Sequence, residues 1–152
     1  PCNTAHKFSE DIQKAVSIPF IDMIRETVAS IVNNNPEVKT VGLLATNGTI
    51  LSRLYQDHFD KNNIETVVPD KDIQDNCVMR AIYDIKSGKQ IADAKILLLK
   101  AAHFLETKGC EAIVLGCTEI PLALNNSNAT SKFINPTKII AEIAVKKSLN
   151  SP

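Results

Sequence analysis

The chain of 152 residues carries no net charge, because 17 basic residues balance 17 acidic ones and no basic stripe stands out. That balance argues against nucleic acid and anionic membrane surfaces as partners. No apolar run approaches the roughly 20 residues that cross a bilayer, and no segment has the pattern of a signal peptide. There is no Walker loop and no GxGxxG turn, so the common phosphate- and dinucleotide-binding signatures are missing. Internal repeats, heptads and low-complexity tracts are absent as well. The four cysteines, at 2, 77, 110 and 117, form neither a CxxC pair nor a zinc-ligand spacing. Free thiols in a reducing cytoplasm are therefore expected, rather than a disulfide framework or a metal centre. What remains is an ordinary globular composition, 44% apolar and 22% charged, in a chain long enough to bury a proper core.

One stretch organises the rest: Ile113-Val114-Leu115-Gly116-Cys117-Thr118-Glu119-Ile120-Pro121-Leu122. An apolar run of the kind that makes a buried parallel strand ends on glycine and then presents a thiol, a hydroxyl and a carboxylate. Ligands of open α/β sheets bind at the carboxyl ends of the strands, so Cys117 stands where chemistry is usually done. Thr118 is expected to cap a short helix over 120–124, with Pro121 tolerated in its first turn. A helix N-terminus favours a thiolate, which would make Cys117 a better base or nucleophile. The plainer reading is a buried cysteine that only fills space. The opening Pro1-Cys2-Asn3-Thr4-Ala5-His6 repeats the same grammar, so two thiols could flank one ligand. Cys77, in a helical pattern, and Cys110, just before a strand, read as structural.

Along the chain, a helix is expected over 4–16, a short strand or extended segment over 17–21 that Pro19 places at an edge or end, and a helix over 22–34 that Asn33-Asn34-Asn35-Pro36 stops. A buried strand over 38–46 ends in the polar turn Thr46-Asn47-Gly48-Thr49 and leads into a helix over 50–61. A short strand over 64–69 follows, then helices over 71–87 and 91–108 and the strand over 112–116. A polar loop at 125–131, a last strand at 133–135 and a helix at 137–149 complete the reading. Strands alternating with helices imply a parallel α/β architecture.

Together, CNTAH at 2–6 and LGCTEIP at 115–121 resemble the paired cysteine motifs of the aspartate/glutamate racemase superfamily, on the aspartate racemase side. The resemblance covers nearly the whole chain. It implies two similar parallel-sheet α/β lobes with the active site between them, the first lobe incomplete in this chain. Residues 1–37 would be the remainder of lobe one, 38–117 lobe two, and 118–152 a return to lobe one. It further implies a racemase of an acidic amino acid, aspartate or glutamate, that needs no pyridoxal phosphate, metal or other cofactor and is often a homodimer. Cys2 and Cys117 would be the two bases. Asn3, Thr4 and Thr118 offer N–H and hydroxyl donors suited to the substrate carboxylate. Thr46 and Thr49 correspond to a carboxylate-lining Thr-x-x-Thr loop, although an N-capping threonine explains Thr46 equally. Lys86 falls close to a lysine that meets the substrate's side-chain carboxylate, or else is a solvated helix-end lysine. Glu119 stands where glutamate racemases usually carry histidine, which points away from them; it serves the site or complements a helix dipole. His6 either assists Cys2 or hydrogen-bonds its loop. The alternatives are another activity of the superfamily, an isomerase or decarboxylase, and a non-catalytic α/β ligand-binding domain.

Overall fold

The computed structural model describes residues 1–125 and 131–149. The 3-10 turn Thr4–Phe8 runs into α1 (Ser9–Ala15), and α2 (Met23–Asn34) precedes β1 (Thr40–Ala45). Two short helices, α3 (Asn47–Leu51) and α4 (Gln56–Asp60), lead to β2 (Glu65–Val67). Then α5 (Lys71–Ile73), the π-turn Gln74–Met79 and α6 (Arg80–Lys86) follow one another directly. The long α7 (Ile91–Thr107) leads to β3 (Ala112–Gly116), α8 (Ile120–Ala123), β4 (Lys132–Ile134) and α9 (Pro136–Leu149).

The four strands form one parallel sheet in the order β2-β1-β3-β4. Val41–Ala45 and Ile113–Gly116 are fully buried neighbours, as their unbroken apolar runs require of strands covered on both faces. Alternate side chains serve the two faces. Leu44, Ile113, Leu115 and Phe133 share a core with Val78 and Ala81 and with Leu98, Ala101 and Leu105 of α7. Val41, Leu43, Ala112, Val114 and Ile134 share the other with Ile24, Val28 and Ile31 of α2, Tyr55 and Phe59. At the amino end, Glu111 Oε2 accepts from the N–H groups of Lys39 and Thr40, 2.6 and 3.0 Å away, and fastens the entry of β3 to that of β1.

Two expectations are narrowed. Residues 17–21 take the non-strand alternative, because Gln13 takes over that segment's hydrogen bonding. Its Oε1 accepts from Phe20 N–H at 2.8 Å, and its Nε2 donates to the carbonyl of Ile18 at 3.2 Å. The helix over 50–61 is broken into α3 and α4 by Arg53, whose backbone is left-handed at φ 51. Strand β4 pairs with β3, while α2 and α9 pack against each other on the face that carries Val41 and Val114. Strands β1 and β3 need cover on both faces, and these flanking elements supply one of them. Of the polar loop at 125–131, residues 126–130 lie outside the described residues.

Replacing Leu43, fully buried beneath α2, with alanine should cost roughly 2–5 kcal/mol in urea unfolding. Leu51→Ala, at a side chain 82% exposed, should stay within about 0.5 kcal/mol.

Candidate active site

The register of the two central strands sets the site. Ala45 pairs with Gly116, so Thr46 and Cys117, the next residue of each strand, leave the carboxyl edge side by side. A Cβ on Gly116 would lie 2.9 Å from Leu43 Cδ1 and 3.2 Å from the Leu44 carbonyl. Glycine lets the thiol-bearing loop start this close to β1.

Thr46 caps α3 by accepting from Thr49 N–H at 3.3 Å. Its hydroxyl also meets those of Thr4 and Thr49, each at 3.1 Å, and Thr4 lies 2.8 Å from Thr49. This closed triangle of hydroxyls ties the amino-terminal motif to the turn after β1. Gly48 leaves room for it, since a Cβ there would come within 3.2 Å of Thr4 Cγ2.

Cys2 is exposed and is held through its backbone. His6 Nδ1 lies 2.8 Å from the Cys2 carbonyl, while Nε2 accepts from Met23 N–H at 3.0 Å. These partners require the neutral tautomer with its proton on Nδ1. His6 is therefore a clip for the loop, and both its ring nitrogens are committed. Asn3, only 3% exposed, accepts at Oδ1 from the Tyr55 hydroxyl at 2.6 Å, and its buried Nδ2 has no partner. Burial keeps the Tyr55 phenol well above its ordinary pKa, against the pull of the Thr27 hydroxyl, so Tyr55 serves as a donor.

A second cluster gathers at Cys117. Its Sγ donates to Glu119 Oε2 at 2.9 Å, the Thr118 hydroxyl donates to the same oxygen at 3.1 Å, and Lys86 Nζ stands 3.7 Å from Oε1. Burial pushes the Cys117 thiol up to about 12, and the Glu119 carboxylate adds to the rise; the Glu119 N–H and the Lys86 ammonium pull the other way. Burial also works to raise the Glu119 carboxyl. The hydrogen bonds from Cys117, its own N–H and Thr118, together with Lys86, outweigh that effect and hold it below the usual range.

Two expectations are corrected here. Cys117 is a protected thiol rather than a thiolate favoured by a helix, because burial and the adjacent Glu119 carboxylate outweigh what the single turn of α8 offers. Thr118 does not cap α8; the residue at the N-cap is Glu119, and Thr118 spends its hydroxyl on that side chain. Among the described residues no hydrogen bond joins the threonine triangle to the Cys117 cluster, so they are neighbours through strand register alone. All four cysteines are free, with Cys77 and Cys110 buried in the core.

Two further residues shape this edge without any mark in the sequence. Tyr55 sits where a continuous helix was expected, and Gln74 Nε2 reaches from the π-turn to the Ala45 carbonyl at 2.9 Å and Asn47 Oδ1 at 2.8 Å. Tyr55→Phe should leave the Asn3 carbonyl oxygen buried without a donor and cost about 1–3 kcal/mol in urea unfolding.

The Asp/Glu/hydantoin racemase family model matches residues 1–144. An uncharacterised protein in the pnlA 3′ region of Pectobacterium carotovorum is 40% identical over 121 residues, covering 80% of this chain and 78% of that one. The broad specificity amino-acid racemase RacX of Bacillus subtilis is 28% identical over 98% of this chain. Among solved structures, a candidate Asp/Glu racemase from Yersinia pestis superposes with a TM-score of 0.83 at 29% identity, over 97% of this chain and 64% of that one. The Picrophilus torridus aspartate racemase gives 0.76 at 28%, over 96% and 59%. The chain also spans 63% of the length of RacX. With its sheet, its two cysteine motifs and a match that runs through both of them, the chain belongs to the Asp/Glu/hydantoin racemase family.

Proposed function

We propose that this chain carries out the cofactor-independent racemisation of an acidic amino acid, aspartate or glutamate, with Cys2 and Cys117 as the two bases. The observation that carries the reading is the meeting of both cysteine motifs at one sheet edge. Thr4 of the first motif is bonded to Thr46 and Thr49, and Thr46 stands beside Cys117 through the pairing of Ala45 with Gly116. Its relatives support the same chemistry: RacX is named an amino-acid racemase and the Picrophilus protein an aspartate racemase.

An amino-acid α-proton is a very weak acid, so a base on one face and an acid on the other must act around one carbon. A thiolate takes the proton; a thiol on the far side returns one with the opposite stereochemistry. The negative charge that develops runs into the α-carboxylate and needs preorganised donors. The unpartnered Asn3 Nδ2 and the hydroxyls of Thr4, Thr46 and Thr49 suit that task, because they are fixed before substrate arrives. Lys86, half-exposed at the end of α6, is the cation available to a side-chain carboxylate. Glu119 enters as the partner of Cys117, because its two oxygens already face three donors.

Cys2→Ala and Cys117→Ala should each abolish racemisation of L- and D-aspartate and glutamate while leaving the circular dichroism spectrum unchanged. Cys77→Ala and Cys110→Ala should leave turnover nearly intact. In deuterium oxide the product enantiomer should carry solvent deuterium at its α-carbon. Full activity in either of the first two variants would exclude the two-thiol mechanism.

A further inference from the structure

The two thiols stand in unlike surroundings. Cys2 is exposed, and the His6 beside it is already spent on two backbone groups. Cys117 is 7% exposed and points its sulfur at Glu119. Counting protons in that cluster decides its charge state. Glu119 Oε2 receives the Thr118 hydroxyl and the Cys117 sulfur, and Oε1 faces an ammonium. A carboxyl surrounded by donors on both oxygens is ionised, and an ionised carboxylate can only accept. The hydrogen in the 2.9 Å contact therefore belongs to sulfur.

We infer that Glu119 is the positioning residue that keeps Cys117 protonated, so that Cys117 meets the substrate as the proton donor. The inference rests on the racemase reading for its catalytic meaning and on geometry for the protonation state. In the direction of turnover that uses this proton, Cys2 acts as the base: its thiolate takes the α-proton and its electron pair becomes the new S–H bond. The α-carbon pair then takes the Cys117 proton, and the S–H electrons stay on Cys117 as a thiolate. That thiolate now lies against the Glu119 carboxylate, two anions within hydrogen-bond distance of one another. Their repulsion favours the return of a proton to Cys117, either from the opposite enantiomer, whose α-carbon then takes the Cys2 proton, or from water, with the Cys2 proton lost to solvent; both routes restore the starting form. Lys86 is the counter-ion that moderates the repulsion; among the described residues it is the one charged group beside Glu119 that acts on the thiol. The elements packed around Cys117 contribute Val78, Ala81 and Ile120, with the Cys77 thiol, to the same core.

Site-resolved alkylation tests this without requiring turnover. The chain is treated with iodoacetamide across a range of pH, and modification at each cysteine is followed by peptide mass spectrometry. Wild-type Cys2 should react at neutral pH, while Cys117 should stay unmodified until strongly alkaline pH. Glu119→Gln should move the Cys117 midpoint down by about one unit or more, which is about a tenfold faster reaction at a fixed pH below it. Glu119→Asp should leave it near the wild-type value. Where turnover is measured, the alkaline limb of kcat/KM should shift down with the Glu119→Gln midpoint. Rapid labelling of Cys77 and Cys110 would reveal an unfolded variant. In that event Lys86→Met serves instead and should move the Cys117 midpoint up. A Cys117 that reacts as readily as Cys2 at neutral pH in the wild type, or a midpoint that neither folded variant moves, overturns the inference. Loss of racemase activity with these shifts intact would instead count against the proposed function alone.

Discussion

Everything at the functional edge depends on the pairing of β1 with β3. Val41 lies beside Ala112 and Ala45 beside Gly116, and the pairing is parallel, so both strands end at the same height. A slip of β3 by one residue would turn Ile113 and Leu115 out of one core and Val114 out of the other. It would also carry Cys117 away from Thr46. Hydrophobic burial on both faces therefore locks the position of the Cys117 thiol.

On that frame sit two polar clusters of different character. The Thr4, Thr46 and Thr49 hydroxyls form a neutral ring that can reorient its hydrogens toward whatever acceptor arrives. The cluster of Cys117, Thr118, Glu119 and Lys86 is ionic, and its hydrogen positions are dictated by charge. In the proposed racemisation these clusters would divide the labour: the hydroxyl ring would receive developing charge, and the ionic cluster would supply a proton.

The parts of this arrangement that show in the sequence are those with strong local patterns. The apolar runs 41–45 and 112–116 announce buried strands, and the turn after each announces its polar residues. The parts that do not show depend on contacts between distant residues. Nothing in the segment 17–21 reveals that Gln13 will replace its strand partners. Nothing around Arg53 marks the left-handed break that frees Tyr55 to reach Asn3. The thiolate expected at Cys117 failed for a related reason: sequence shows a cysteine before a short helix, but not that the thiol is buried or that Glu119 bends back to the sulfur. For His6 the two alternatives were visible from the spacing, and only the position of Met23 separates them.

The crossover between β1 and β3 has a kinetic meaning. Between Val41 and its partner Ala112 the chain runs through everything from α3 to α7, with β2 among it. Closing so long a loop before its contacts stabilise it is slow, and parallel pairings of this kind tend to form late in folding. A local hairpin or helix cannot bring Thr46 next to Cys117 ahead of the rest. The thiol and its carboxylate lie within one short turn and can meet early, whereas their alignment with the threonine ring waits for the whole α/β unit.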